Sequence, residues 1–405
     1  MQTLLKAQTH LKSPEASISQ TNPARALPLI STVKTKTPLS PQAVADMAEC
    51  RAALREGSYT FFTASLLLPQ AVREPASALY AFCRLADDAV DNAAQGGNDK
   101  HAAVAGLRAR LDAAYSGEAH PSQAAAVDRA LAAVVAHFEI PRTLLDALLE
   151  GFGWDADGRQ YQSLDDLQAY AARVAGTVGA MMALLMGVRS SEGLARACDL
   201  GVAMQLSNIA RDVGEDARMG RLYLPQQWLR EASIDPQTWL AKPVFNAGIA
   251  SVVQRLLDVA QGLYQQVGAG VAQLPLACRP GINAARYLYA EIGHEVARRG
   301  LDSVTQRAVV PRARKVWLLA GALINLMPQQ AAQAAPCLPA NRFLVDAASF
   351  TSHDLSHLDS PSPDATPWWQ INQRMANGAV WVIEPFERLE RQEQMVPIPI
   401  NRSPP

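Results

Sequence analysis

Between residues 43 and 330 the apolar residues of this chain return at helical spacing, run after run. Leu107, Leu111 and Ala114, then Leu131, Val134, Val135 and Phe138, then Leu144, Leu145 and Leu148 each mark one face of a 3.6-residue repeat. No stretch alternates strongly with period two between turn residues, so nothing argues for a sheet. Pro69, Pro75, Pro121, Pro141, Pro225, Pro275 and Pro280 are read as falling between the runs, where proline opens or closes a helix without breaking it. The pattern predicts one large all-α domain over residues 43–335.

Composition narrows what such a domain does. The chain has 405 residues, 49% of them hydrophobic, and a formal net charge of -1, which gives no broad electrostatic reason to bind nucleic acid. Its five cysteines, at 50, 83, 198, 278 and 337, form no metal-binding spacing and are read as reduced, small apolar side chains of a cytoplasmic protein. No apolar run reaches membrane-spanning length; the longest, Val316–Pro328, is read as a buried or membrane-facing helix.

The two ends have a different texture. Residues 1–42 carry Lys6, Lys12, Arg25, Lys34 and Lys36 against a single acid, Glu15, and are expected to be a flexible arm, with an organelle transit peptide as the alternative. Residues 336–405 are expected to be a Pro/Ser-rich, partly irregular extension. Trp368, Trp369, Trp381 and Phe386 within it suit docking on the domain or at a bilayer surface, and both readings stay open.

Two acidic segments carry the chemistry. In Asp87-Asp88-Ala89-Val90-Asp91, Asp87 and Asp91 are one helical turn apart on one face, while Leu79, Phe82, Cys83, Ala86 and Val90 mark an apolar stripe. Two carboxylates about 6 Å apart repel each other unless a positive charge lies between them, and a divalent ion supplies it. Arg84, three residues earlier, can reach a phosphate oxygen from the same face. Taken alone, Asp87, Asp88 and Asp91 fit a solvated helix end equally well.

The second segment is the sharper signal. Gln205, Asn208, Asp212 and Asp216 recur at three- and four-residue spacing, while Val202, Ala203, Leu206 and Ile209 carry the same helix into the core. A carboxylate in such surroundings needs a partner, and magnesium takes oxygen ligands while sharing its shell with substrate phosphates. Facing clusters of this kind suit several Mg2+ ions, with Mn2+ as a substitute, holding a diphosphate. The chemistry that needs them is ionisation of an allylic diphosphate, and the cation so formed must lie in a dry apolar cavity. Phe61, Phe62, Leu66, Phe82, Val174, Val178, Met181, Met182 and Leu185 are candidates for its walls, although each is also an ordinary helix-packing residue.

Ser58–Pro69, Tyr80–Asp88, Tyr170–Gly179, the run Gln205–Pro225 with its Gly220-Arg221-Leu222-Tyr223-Leu224-Pro225 ending, and Tyr289–Arg307 followed by Arg314-Lys315 together resemble the squalene and phytoene synthase family. The resemblance spans about residues 45–320, and the bacterial phytoene branch fits it best. One departure is Gly57-Ser58-Tyr59-Thr60-Phe61-Phe62, which lacks the lysine of the commoner Ser-Lys-Ser-Phe form.

The resemblance implies an isoprenoid-synthase fold with a central apolar cavity. It also implies prenyltransferase activity: head-to-head condensation of two geranylgeranyl diphosphates, through the cyclopropane prephytoene diphosphate, to phytoene, with loss of two pyrophosphates and no NADPH. It makes Asp87, Asp88, Asp91, Asn208, Asp212 and Asp216 the metal set. Tyr170, Arg211, Arg84 and Gln205 take catalytic positions, Tyr170 near the reacting carbons. Ser58, Arg84, Arg221, Tyr223, Tyr289 and Arg307 take substrate-binding ones. The greasy substrate implies transient contact with a membrane surface. Two alternatives are kept: a C30 synthase making squalene, hydroxysqualene or dehydrosqualene from farnesyl diphosphate, and a non-catalytic derivative of the fold.

Overall fold

In the computed structural model, residues 41–95, 99–116, 125–324 and 335–349 are described, with the side chains of residues 59, 91, 92, 94 and 95 excepted. The expectations for the N-terminal arm and for the tryptophan-bearing tail lie outside the described residues. The helices are α1 (Pro41–Gly57), α2 (Tyr59–Ser65), α3 (Gln70–Gln95), α4 (Lys100–Ser116), α5 (Ala126–His137), α6 (Arg142–Ala156) and α7 (Leu164–Ala171). A π turn, Ala172–Gly176, leads into α8 (Thr177–Leu185), α9 (Ser191–Arg218), α10 (Gln226–Glu231), α11 (Pro236–Ala241) and α12 (Ala247–Val271). Then come α13 (Arg279–Arg298), α14 (Arg312–Ile324) and α15 (Arg342–Ser349), with short 3-10 turns at Leu276–Cys278 and Pro339–Asn341. No strand occurs among the described residues.

Polar side chains set where several helices begin. Ser58, Ser163, Ser190, Asp235 and Asn246 each accept a hydrogen bond from an amide in the first turn of the helix that follows, and Ser163 with Asp166 forms a reciprocal capping box. Among the described residues most prolines sit at helix starts, as at Pro41, Pro141, Pro225 and Pro280. Pro75 is the exception: the expectation that it separates helices is wrong, because it lies inside α3. It falls early in that helix and is buried, so packing holds the helix together across one missing amide donor.

Helix α9 lies at the centre and packs against α7, α8, α12, α13, α15 and the π turn. Val202, Ala203, Leu206 and Ala210 are fully buried along it, as the apolar spacing predicts. Two glycines decide how closely α9 meets the preceding strip of chain. A Cβ at Gly179 would lie 2.1 Å from the Ala197 carbonyl oxygen, and one at Gly201 would lie 2.1 Å from that of Ala175, so backbone touches backbone in both directions.

At the periphery, Arg129 ties α5 to the buried Asp46 of α1 through two hydrogen bonds of 2.9 and 2.6 Å. Glu291, 2% exposed, accepts two bonds from Arg314 and so fastens α14 to α13. The apolar run from Val316 is divided by this docking. Leu318 and Leu319 are buried, while Val316, Trp317 and Ile324 remain exposed. No described helix is long and apolar enough to cross a membrane. Residues 335–349, the start of the Pro-rich extension, fold back so that α15 packs on α6, α8 and α9.

The close approach at Gly201 has a measurable cost. Gly201→Ala is expected to lower the unfolding free energy by about 3 kcal/mol, because backbone must move to admit the methyl. Gly262→Ala, in α12 with nothing within 4 Å of its added Cβ, is expected to raise it by about 0.5–1 kcal/mol. Urea unfolding of the two variants beside the wild type measures both.

Candidate active site

A cavity of about 410 Å³ lies among the central helices. Helix α9 supplies one long wall through Gly193, Arg196, Ala197, Leu200, Gly201, Met204, Gln205 and Asn208, a single face at three- and four-residue spacing. At 1.5 Å per residue that face runs for about 22 Å. The opposite walls come from Leu79, Tyr80, Cys83, Arg84 and Asp87 of α3, Val174 and Ala175 of the π turn, and Val178 and Met182 of α8. The π turn alters the helical phase just before α8, and such turns cluster at functional sites.

The expected lining is met in part. Phe61, Val174, Val178 and Met182 face the cavity, whereas Phe82, Met181 and Leu185 point into the surrounding core and Phe62 and Leu66 do not line it. Helical phase accounts for the methionines: Val178 and Met182 share a face, and Met181 lies about 100° round the helix from Met182.

The polar groups gather at one end. Ser58, Asn208 and Tyr289 line this cavity and also a second one of about 350 Å³, so the two meet at those side chains. Tyr289 is half-buried and hydrogen-bonded to Ser58. Arg211, Arg307 and Lys315 line the second cavity, with no carboxylate among its described lining residues, which makes it a place for an anion.

Asp212 is clamped between two guanidiniums. Arg211 donates to it at 2.7 and 2.5 Å, and Arg307 at 2.8 and 3.3 Å. Burial pushes its carboxyl up, but the two arginines outweigh that and hold it below the ordinary value. Gly214 permits the Arg307 contact. A Cβ there would sit 2.0 Å from the Val304 carbonyl oxygen, and the Gly214 amide donates to Ser303 at 2.9 Å, so the loop bearing Arg307 lies directly on α9.

On α3, Arg84 stands 3.3 Å from Asp87 and 2.8 Å from Asp88. Asp87 and Arg84 line the first cavity, while Asp88 lines neither, being a residue further round the helix. The side chain of Asp91 lies outside the described residues.

Tyr170, expected near the reacting carbons, belongs to a hydrogen-bonded tyrosine cluster. It lines neither cavity, is 4% exposed, and donates its hydroxyl to Asp155 at 2.8 Å. Tyr223 donates to the other oxygen of Asp155 at 2.7 Å, and the rings of Tyr161, Tyr170 and Tyr223 pack together at centroid distances of 5.2 to 5.9 Å. The reason is Asp155 on α6, which the sequence reading missed. Its only signal was an acidic residue in the last turn of a helix that also carries Asp146 and Glu150. Asp155 is close enough to help raise the pKa of Asp216, so the tyrosine cluster adjoins the acidic end of α9. Arg221 joins here too: its amide donates to the Asp216 carbonyl, and its charge partly offsets the rise at Asp216.

The donor set fits magnesium by its chemistry. Among the described residues no three Asp, Glu, His or Cys side chains form a ready-made metal cage. Magnesium commonly takes one or two carboxylates and completes its shell with water and substrate phosphate. Asp87 and Asn208, oxygen donors on two walls of one cavity, match that need.

Comparison with known proteins accords with this geometry. The sequence model of the squalene/phytoene synthase family matches residues 54–314. The chain belongs to this family. It is 53% identical over 312 residues to the phytoene synthase of Rhodobacter capsulatus, covering 76% of this chain and 91% of that one. It is 54% identical over 318 residues to the phytoene synthase of Cereibacter sphaeroides, covering 76% and 89%. Among solved structures, a dehydrosqualene synthase in complex with ligand superposes with a TM-score of 0.63 at 30% identity, covering 70% of this chain and 98% of that chain. The family membership settles the fold as the all-α isoprenoid-synthase type.

Asp216 supplies a pH test. Burial first, and the neighbouring Asp212 charge second, push its carboxyl up to about 7 from an ordinary 3.8. The folded state therefore keeps a proton that the unfolded chain has lost between those values. Its contribution to stability is full below about 3.8 and is lost as the pH rises through about 7. Asp216→Asn is expected to flatten part of that decline in unfolding free energy, measured by urea unfolding across the interval. Asp199, raised to about 6 mainly by burial, leaves the remaining slope. A slope identical to wild type would mean that Asp216 is ionised throughout.

Proposed function

We propose that this prenyltransferase condenses two molecules of geranylgeranyl diphosphate head to head, through prephytoene diphosphate, to 15-cis-phytoene, the first committed step of carotenoid formation. The observation that carries this reading is one continuous arrangement: a long apolar cavity ending at Asp87 and Asn208, joined at Ser58 and Tyr289 to a cavity lined by Arg211, Arg307 and Lys315. The relatives at 53% and 54% identity are phytoene synthases, which favours the C20 substrate over the C30 alternative. Retention of Asp87, Asn208, Asp212 and Asp216 together argues against a non-catalytic derivative.

Bound magnesium would supply the positive charge that makes pyrophosphate a good leaving group. Asp87 and Asp91 from α3, and Asn208, Asp212 and Asp216 from α9, are the residues proposed to hold it. Asp88, turned from both cavities, is assigned instead to orienting Arg84. Arg211 and Arg307 bind the diphosphate and stabilise charge developing on it in the transition state. Lys315 adds a point charge to the same cavity.

Ser58 and Tyr289 fix the boundary between the polar and apolar halves, and Gln205 lines the wall one turn from Asn208. Phe61, Val178 and Met182 exclude water, which would otherwise trap the cation. Tyr170 and Tyr223, oriented by Asp155, present polar groups next to Asp216 rather than a ring in the prenyl cavity, and Arg221 steadies that corner. The reaction closes by proton loss, so no NADPH enters it.

Incubation with magnesium and geranylgeranyl diphosphate, without NADPH, is expected to give a C40 hydrocarbon identified by mass. A C30 product from farnesyl diphosphate instead would move the enzyme to the other branch. Asp87→Ala and Asp212→Ala are each expected to lower kcat by a factor of about 10³ or more with the fold retained, whereas Asp99→Ala is expected to change it little. Near-native turnover by the first two would sink the metal assignment.

Substrate and product both partition into lipid, so we also infer a cytoplasmic enzyme that works at a bilayer surface. The exposed Val316, Trp317 and Ile324 of α14, next to Lys315 of the second cavity, are the contact. Trp317→Ala is expected to weaken sedimentation with anionic liposomes while leaving turnover in detergent unchanged; equal binding by both proteins would place the contact elsewhere.

A further inference from the structure

Toward the end of the prenyl cavity farthest from Asn208, where Gly193 alone of α9 lies beyond it, the wall carries a charge. Arg196 lines it about 18 Å of helix before Asn208, with its side chain 3% exposed. Its Nη2 lies 2.8 Å from Asp199 Oδ2 and donates to the Pro336 carbonyl at 3.0 Å. The other oxygen of Asp199 accepts from Asn341 Nδ2 at 2.8 Å, and both Asp199 and Asn341 are fully buried. Gly270 completes the clamp from α12: a Cβ there would lie 2.3 Å from Arg196 Cβ and 2.8 Å from its Cγ, so the arginine stem is gripped by α12 on one side while its head is tied to Pro336.

Stability does not account for this cluster. Arg196 Nε, Asp199 Oδ2 and Asn341 Oδ1 are buried without a hydrogen bond, Asp199 Oδ2 meeting the arginine as an ion pair only. Apolar side chains of the same volume would commonly hold the helices at least as well. Pro336 and Asn341 also fall outside the span matched by the family model, so the inner end of the cavity depends on chain beyond the recognised core.

We propose that the Arg196–Asp199 pair, clamped by Pro336 and Asn341, is the floor of the prenyl cavity and sets the longest prenyl diphosphate that this enzyme condenses. The argument is one of unequal free energies. A hydrocarbon tail that advanced further would gain the burial of a few methylenes, but it would push a guanidinium off its carboxylate and strand both charges in a dry interior. A floor made of leucines would instead yield by rotamer change. The proposal rests on the prenyl diphosphate reading of this cavity and deepens it.

The test measures kcat/KM for farnesyl, geranylgeranyl and geranylfarnesyl diphosphate in wild type and in the double variant Arg196→Ala/Asp199→Asn, which removes stem and charge together and leaves an amide for Asn341. The ratio of geranylfarnesyl to geranylgeranyl turnover is expected to rise by about tenfold or more, with the farnesyl to geranylgeranyl ratio little changed. Ratios within about twofold of wild type, or an equal fall for all three substrates, would overturn the proposal. If circular dichroism shows the double variant unfolded, Arg196→Lys keeps a cation on Asp199 while giving up the fork that also reaches Pro336. It is expected to move the same ratio in the same direction by less, and no movement would count against the floor. The two readings fail separately. A wild type that prefers farnesyl diphosphate sinks the C20 assignment, and a variant of it that gains geranylgeranyl diphosphate keeps the floor.

Discussion

A carboxylate drawn out of water into a helical bundle must be paired, neutralised or given up, and α9 carries three of them, Asp199 fully buried and Asp212 and Asp216 half-buried. Each is handled in a different way. Asp199 meets a buried guanidinium and an amide. Asp212 accepts from two arginines, one its neighbour and one from the loop after α13. Asp216 has only partial compensation from Arg221 and is pushed toward neutrality. Two of the segments packed on α9 answer these needs. The 300–311 loop lies on Gly214 because Arg307 must reach Asp212, and the 336–341 segment is drawn into the core by Arg196 and Asp199.

The same helix divides the site into two solvents. Its face from Gly193 to Asn208 borders hydrocarbon-like surroundings, and the next turn, with Arg211 and Asp212, enters a region of fixed charge. Low dielectric at the apolar end strengthens every interaction at the polar one, so Asp87, Asn208 and the cation-lined cavity act on a diphosphate with less screening than in water. Gly179 and Gly201 make this geometry possible. By removing two methyls they let α8 and the π turn lie backbone to backbone against α9, which sets Val174, Val178 and Met182 opposite Leu200 and Met204.

Much of this was legible in the sequence because it follows from period and charge. Helical spacing reported the fold class, and the spacing of Gln205 and Asn208 placed them on one face, which lines the cavity, while Asp212 lines neither cavity. Phase was harder. Met182 and Met181 are neighbours in an apolar run, and only the position of α9 tells which of them lines the cavity. Pro75 misled because proline marks helix ends on average, whereas burial carries α3 through it. Tyr170 illustrates a related point: a motif gives a residue's address but not its hydrogen-bond partner, and Asp155 arrives from α6 with only its acidic character to announce it.

The least legible part is the far end of the cavity, and the cause is physical. Arg196 in an amphipathic pattern looks like a solvent-facing arginine paired with Asp199 one turn away, an ordinary surface interaction. Nothing local distinguishes that from a buried pair. What buries it is a segment about 140 residues later, whose Pro336 and Asn341 supply single polar groups from a stretch that composition marks as irregular. A proline-rich segment is well suited to the task, because backbone not committed to a helix or sheet leaves carbonyl groups free to receive a guanidinium. The catalytic end of α9 announces itself by clustered charge, whereas the end proposed to measure chain length is made by one arginine whose environment is assembled only in the folded state.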